Sequence, residues 1–388
     1  MTAPQRSMPR SLLFLIIALV MFPQVVETIY SPALPLIAER FEVPQSIATQ
    51  TLSFYFLAFA LGVLFWGILC DKIGRRPAFL LALSLYTLTA ILALLATQFS
   101  MLLMARMGMA FAAAIGSIGT QTFIRDQFSG DRLRALFSLI GIALAISPII
   151  GLLLGAGMVL INGELAIFSL LALMGFLFLL WSFVALPETR LQQATSVQLL
   201  PLIKAMFHGK HIWRSALLIA AFNIMLFSYY QLAPFLFEAL QLPASRYGLS
   251  GFLLGGGTFI GAFCNQYLIK RGVSGDRLIQ LAIYLAFFSS LALKALESHW
   301  SFILPMLGIM MAYSIAIPNI LATALKDYQH ALGSAGAILG LFYYSLIGLG
   351  LIIAGMMPSL GLLLILVSLF AWLVNKLSIV QPISSRIK

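Results

Sequence analysis

Glu27 and Arg106 are the residues whose type and setting point most directly to chemistry. Each interrupts a long apolar stretch, and Glu27 is soon followed by Tyr30-Ser31-Pro32-Ala33-Leu34-Pro35. A carboxylate in hydrocarbon costs about 2.5–3.5 kcal/mol on insertion scales. A chain keeps such a group when it faces a water-filled cavity, carries a proton or contacts a cargo. At 1.5 Å per residue, Glu27 stands about 24 Å along a helix starting at Ser11, and Arg106 about 8 Å along one starting at Met101. The two helices run in opposite directions, so both groups reach a similar depth in the outer half of a core about 30 Å thick. The two side chains are expected to bind each other, or to alternate between each other and a proton or cargo. The competing reading is a static ion pair that only fixes helix packing.

The elements that hold these residues follow from composition. Of 388 residues, 61% are hydrophobic and only 9% charged, with a mean hydropathy of +1.03. A soluble domain carries about 25% charged residues, so this chain cannot cover itself with polar surface and is expected to be a polytopic membrane protein. A stretch of about 20 apolar residues crosses the hydrocarbon, and twelve are expected: 11–36, 47–70, 77–97, 101–123, 133–160, 165–186, 212–237, 247–269, 277–296, 301–325, 332–356 and 360–379. In lipid each segment must satisfy its own backbone, which makes them helices. Pro23, Pro148, Pro234, Pro305 and Pro318 within them allow kinks. The first stretch, preceded by Arg6 and Arg10, lacks a small-residue cleavage site and is read as a retained span.

The longest polar interval inside the chain, 187–211, carries Glu188, Arg190, Gln192, Gln193, Lys204 and Lys210. It divides the chain into six spans in 1–186 and six in 212–388, with a cytoplasmic linker between. The fold class expected is an all-α membrane protein of 12 transmembrane helices in two six-helix, pseudo-symmetric bundles. The net charge of +11 sits in the amino terminus, alternate loops and the carboxyl terminus; Arg40, Arg106, Arg246 and Lys294 are the exceptions. That asymmetry orients a membrane protein with both termini cytoplasmic and does not indicate nucleic acid. Cys70 and Cys264 have no disulfide or metal-type spacing, and no cofactor or metal is expected.

The loop after the second span reads Gly67-Ile-Leu-Cys-Asp71-Lys72-Ile-Gly74-Arg75-Arg76-Pro77. It resembles the signature G-x-L-x-D-x-x-G-R-R/K of the major facilitator superfamily, with Asp71, Arg75 and Arg76 forming a charge cluster at the cytoplasmic mouth. Leu186-Pro187-Glu188-Thr189 resembles the end of the sixth span in drug exporters of that superfamily. Ser147-Pro148-Ile-Ile-Gly151, followed by Gly155 and Gly157, is similar to the Gly-Pro segment of its antiporters, with Ser147 where Gly is usual. Tyr30-Ser-Pro-Ala-Leu-Pro35 and Arg125-Asp126-Gln-Phe-Ser-Gly130-Asp131-Arg132 resemble the Bcr/CflA-type drug:proton antiporters. The chain also departs from the pattern. Arg106 is followed by Met109-Ala110 in place of Gln-Gly, and the second loop copy is reduced to Lys270-Arg271-Gly272. The acid is Glu27, with Thr28 where Asp is usual, a shift that turns a helical side chain by about 100°.

The resemblance implies a proton-coupled exporter in the bacterial inner membrane, taking small, largely apolar organic molecules such as antibiotics by alternating access. Glu27 and Arg106 would couple protons, and Gly67, Asp71, Gly74, Arg75 and Arg76 would form the cytoplasmic gate. Ser147, Pro148, Gly151 and Gly155 would keep the fifth span closely packed. Tyr30, Gln121, Asn223, Tyr229, Tyr230, Gln231 and Asn319 are expected to line the cavity or to bond neighbouring helices. The partners expected are a small-molecule substrate, protons and the lipid bilayer, for a monomer. A dedicated metabolite or siderophore transporter of the same fold, in either direction, remains an alternative. A membrane-embedded enzyme or sensor is disfavoured: the spans offer no acid pair, Ser–base pair or metal cluster, and His208, His211, His299 and His330 lie in or beside loops.

Overall fold

The computed structural model describes residues 9–128, 130–190 and 199–379. Among them every regular element is a helix: α1 Arg10–Tyr30, α2 Leu34–Arg40, α3 Gln45–Ala48, α4 Gln50–Ile73, α5 Arg75–Leu94, α6 Phe99–Gln127, α7 Gly130–Ala185, α8 Leu199–His208, α9 Lys210–Ala239, α10 Ala244–Lys270, α11 Gly275–Leu296, α12 Leu304–Ala324, α13 Leu332–Gly355 and α14 Leu360–Ile379, with short 3-10 turns between some of them. Large apolar side chains stand fully open on the outer surface, among them Val184 at 85% and Phe259 at 75% exposure. Polar residues such as Thr28, Ser31, Arg106 and Gln231 are sealed inside. That inversion suits a lipid surround and not water.

Among the described residues, eleven helical stretches are long and apolar enough to cross a membrane. The expected spans 133–160 and 165–186 both fall in α7, which runs without a loop but leaves helical geometry at Asn162 and Gly163, the latter at φ +58°. The expected first span extends further than composition suggested. After Tyr30 the chain tightens into a 3-10 turn, Ser31–Ala33, and then continues as α2 to Arg40; Pro32 and Pro35 sit where an N–H would go unused. Pro305 likewise begins α12 and does not kink it, whereas Pro23, Pro148, Pro234 and Pro318 lie inside their helices. Within the expected linker 187–211, residues Leu199–His208 form α8, which packs through Leu202 and Met206 beside Ile338 and Leu339 of α13.

The helix ends gather in two sets. At the basic end, Arg75 meets Asp126, and Arg214 meets Asp276 and Asn375. At the opposite end, Arg40 reaches Glu164 and the Ala96 carbonyl, and Lys294 meets Glu297. Connections at that opposite end are short: 41–44, 95–98, 240–243, 297–299 and 356–359, none longer than four residues. One apolar core is built from α1 and α4–α7; a second, from α9–α14, also takes Leu52, Phe56 and Leu152 of the first half. The two halves touch most closely toward the opposite end. There Gly248 of α10 lies so near α7 that a Cβ would come within 2.6 Å of the Ala156 methyl. Helix α9 is the most enclosed of the spans, with 89% of its most apolar stretch buried, and it meets the first half at residues 31–40.

Candidate functional site

Helix α1 carries Glu27 and α6 carries Arg106 into the interior. Glu27 is 5% exposed and Arg106 is completely buried. The guanidinium lies between two rings, with the Tyr30 centroid 3.8 Å and the Tyr55 centroid 4.7 Å from its central carbon. None of its three nitrogens has a hydrogen-bond partner, and neither does Glu27 Oε1. The two charges are within Coulombic reach of each other, yet no ion pair joins them. A buried charge without a hydrogen-bonded partner is costly, so this geometry is not that of a static bridge.

Glu27 faces the junction of the halves. Tyr55 of α4, Tyr230 of α9, Tyr313 of α12 and Tyr344 of α13 all lie within reach of its charge. The shift by one residue explains the direction. Thr28 turns toward α7, where its Oγ1 occupies the space a Cβ on Gly151 would need. Glu27 is rotated away from that contact. A side chain on Gly155 would strike the Ile29 carbonyl, while Ser147 bonds its own helix at the Ala143 carbonyl, 2.8 Å away. Gly151 and Gly155 therefore let α7 press on α1.

The remaining expected cavity residues divide. The Tyr30 hydroxyl donates to Thr51 Oγ1 at 2.9 Å while its ring faces Arg106. Asn223 accepts from the Tyr313 hydroxyl at 3.3 Å, and Gln121 is half-buried on α6. Gln231 instead ties the halves together toward the opposite end, donating from Nε2 to the Thr49 carbonyl (3.0 Å), Ser53 Oγ (3.2 Å) and the Leu351 carbonyl (3.1 Å). Ser31, one turn beyond Glu27, completes this seam. Its Oγ donates to the Tyr230 carbonyl and lies 2.5 Å from the Tyr247 hydroxyl. Beyond the seam is a cavity of about 400 Å³ lined by Pro32, Leu36, Val159, Phe237, Glu238 and Tyr247. Tyr229 bonds Ser250 within the second half (2.7 Å), and Asn319 bonds Asn265 (2.7 Å).

At the basic end the loop signature forms a joint inside the first half. Gly74 has φ +105° and ψ 163°, a region essentially restricted to glycine, and the Glu188 carboxylate fills the space where a Cβ would stand. Glu188 accepts from the backbone N–H groups of Arg75 (3.0 Å), Arg76 (3.1 Å), Thr189 (2.9 Å) and Arg190 (2.8 Å), capping the start of α5. Partial burial pushes this carboxyl up, but the four N–H donors outweigh it and hold the group below its usual range. Arg75, 4% exposed, pairs with Asp126 at 2.6 Å and Asp71 at 3.2 Å, and Arg76 donates to the Phe183 carbonyl at 2.8 Å. Gly67 is not sterically required, since a Cβ there would meet only an ordinary contact with Ile118 at 3.6 Å. Asp126 and Glu188 were not singled out from sequence, although both stand inside the segments that carried the resemblance.

Comparison with known proteins agrees with this architecture. The family profile described as Major Facilitator Superfamily matches residues 13–351. An uncharacterized transporter of Rickettsia felis is 30% identical over 353 residues, 86% of each chain. A chloramphenicol resistance protein of Pseudomonas aeruginosa is 28% identical over 352 residues, covering 85% of this chain and 80% of that one. The crystal structure of a D-xylose-proton symporter superposes with a TM-score of 0.75 at 15% identity, covering 94% of this chain and 98% of that one.

Proposed function

This chain belongs to the major facilitator superfamily and is a transporter, not an enzyme; we propose that it exports small organic molecules in exchange for protons. The supporting observation is Glu27, a buried acid with an unpartnered oxygen, facing the junction of the halves beside an equally unpartnered Arg106. We count α7 as two crossings, for twelve spans, and take the membrane to be a bacterial inner membrane; the positive-inside bias supports a cytoplasmic basic end. The seam of Ser31, Tyr230, Tyr247, Gln231 and Thr49 then closes the outer side. Rocking of the halves would open it while closing the inner side.

In this reading a proton from outside neutralises Glu27 and favours cargo release; its loss toward the cytoplasm restores a carboxylate that admits new cargo. Arg106 keeps the neighbouring charge high enough for that proton to leave. Resistance names among the relatives make antibiotics the first cargo to try. The test is transport in proteoliposomes under an imposed pH gradient, with chloramphenicol leading a panel of neutral and cationic compounds. Gradient-driven flux is expected in the native protein and a loss of at least about tenfold in Glu27→Gln, a barrier change of about 1.4 kcal/mol. Full, gradient-sensitive flux in Glu27→Gln would defeat the coupling role.

A dedicated metabolite carrier is the second reading, and the buried guanidinium of Arg106 favours it. A carboxylate cargo would satisfy that group bidentately, and would bind together with the proton on Glu27, not in competition with it. Co-transport of an organic acid with protons in the same vesicles would select this reading.

A further inference from the structure

The cavity beyond the seam has the makings of a site separate from Glu27. Its volume of about 400 Å³ lies in the range of about 300–1,000 Å³ common to small-molecule pockets. Both halves build it: Pro32, Leu36 and Val159 on one side, Phe237, Glu238 and Tyr247 on the other. Apart from Glu238, Gln241 and the Tyr247 hydroxyl, the lining is apolar, and among the described residues no lysine or arginine belongs to it. Glu238 and Gln241 are exposed, which puts them at the mouth. The Glu238 carboxylate makes no hydrogen bond or ion pair among the described residues. Other cations of that end do not neutralise it. Arg40 is taken by Glu164 and Lys294 by Glu297, while Arg246 is exposed and outside the lining. One wall of the cavity is also a latch: the Tyr247 ring stands edge-on to Phe237, with centroids 5.3 Å apart, and its hydroxyl lies 2.5 Å from Ser31 Oγ. Tyr247 cannot leave Ser31 without taking that wall away.

We propose that this cavity binds a monovalent organic cation with an apolar body, and that the occupant clamps the two halves together. The positive charge rests at Glu238, the one formal charge in the lining. The apolar body spans from Phe237 and Tyr247 to Pro32, Leu36 and Val159, so a single molecule touches both halves. Because the walls come from both, the site is complete only while the seam is shut. A ligand favours whichever state it binds better, so the bound cation holds the opposite end closed. An anionic or strongly polar molecule finds no matching group here. The inference goes beyond the exchange proposed above and does not depend on Glu27 carrying a proton.

The probe is radiolabelled benzyltriethylammonium, and the measurement is its equilibrium binding to purified full-length protein. Saturable binding is expected in the native protein, and its absence overturns the proposal. Glu238→Gln keeps the shape of the mouth but removes the charge, and should weaken binding about fivefold, the upper worth of an exposed ion pair. Val159→Trp fills the cavity from the other half and should abolish saturable binding. If that variant does not accumulate, Glu238→Gln alone decides the location. Undiminished affinity in either variant means that the cation sits elsewhere. The clamp is tested with Gln231→Ala, which cuts the bonds to Thr49, Ser53 and Leu351 without lining the cavity. Affinity should fall about threefold, in proportion to the lost population of the shut state. Ser31→Ala, which frees the Tyr247 hydroxyl, should act in the same direction and replaces Gln231→Ala if that protein fails to fold. Native affinity with the seam cut would show a site that belongs to one half, and the clamp would be refuted.

Discussion

At the scale of single residues, Arg106 is held by faces and not by charges. A planar guanidinium between two rings in a desolvated interior gains about 2 kcal/mol or more from each favourable cation–π contact. Lysine keeps the charge but lacks the plane. Arg106→Lys is therefore expected to lose transport by at least about tenfold while eluting as a folded, monodisperse protein. Undiminished flux in that variant would mean that charge alone suffices. Glu27 and Arg106 were both legible from the sequence because so few charges interrupt the apolar stretches. Their partners were not. Which way Glu27 projects depends on a rotation of about 100° per residue, and only the contact between Thr28 and Gly151 fixes it. That the arginine rests on Tyr30 and Tyr55 and not on the acid is a matter of packing between α1, α4 and α6, which no local pattern records.

At the scale of elements, the helices themselves followed from the apolar pattern, because a lipid surround leaves no other backbone solution. The joints between them did not. Glu188 meets Arg75 across 113 residues of sequence, so its cap on α5 is invisible to any short window. This joint has a pH signature. The Glu188 carboxyl is held below its ordinary 4.5 in the folded protein, so its stabilisation is complete above that ordinary value and is lost as pH falls through the lowered one. Glu188→Gln should lower the melting temperature of purified protein at pH 7, reflecting about 1 kcal/mol for a lost cap. The gap between variant and native protein should close as the pH drops below 4.5. A gap that is constant from pH 7 to pH 3.5 would show that the charge of Glu188 contributes nothing.

At the scale of the whole molecule, alternating access requires the halves to part where they now touch. Gly248 and Ala156 face each other across that contact, close enough for a disulfide after a shift of about 1 Å. In protein lacking Cys70 and Cys264, oxidised Gly248→Cys/Ala156→Cys should abolish flux, and a reductant should raise it again to the level of the unoxidised double variant. A fully crosslinked carrier that still transports would refute rocking about this interface. The brevity of the connections at the opposite end has a consequence of another kind. With turns of four residues or fewer, that face is nearly bald, offering antibodies little epitope, proteases no exposed strand to cut, and a docking protein no platform. Fluorophores, affinity handles or inserted tags belong on the other face or must be confined to one side chain.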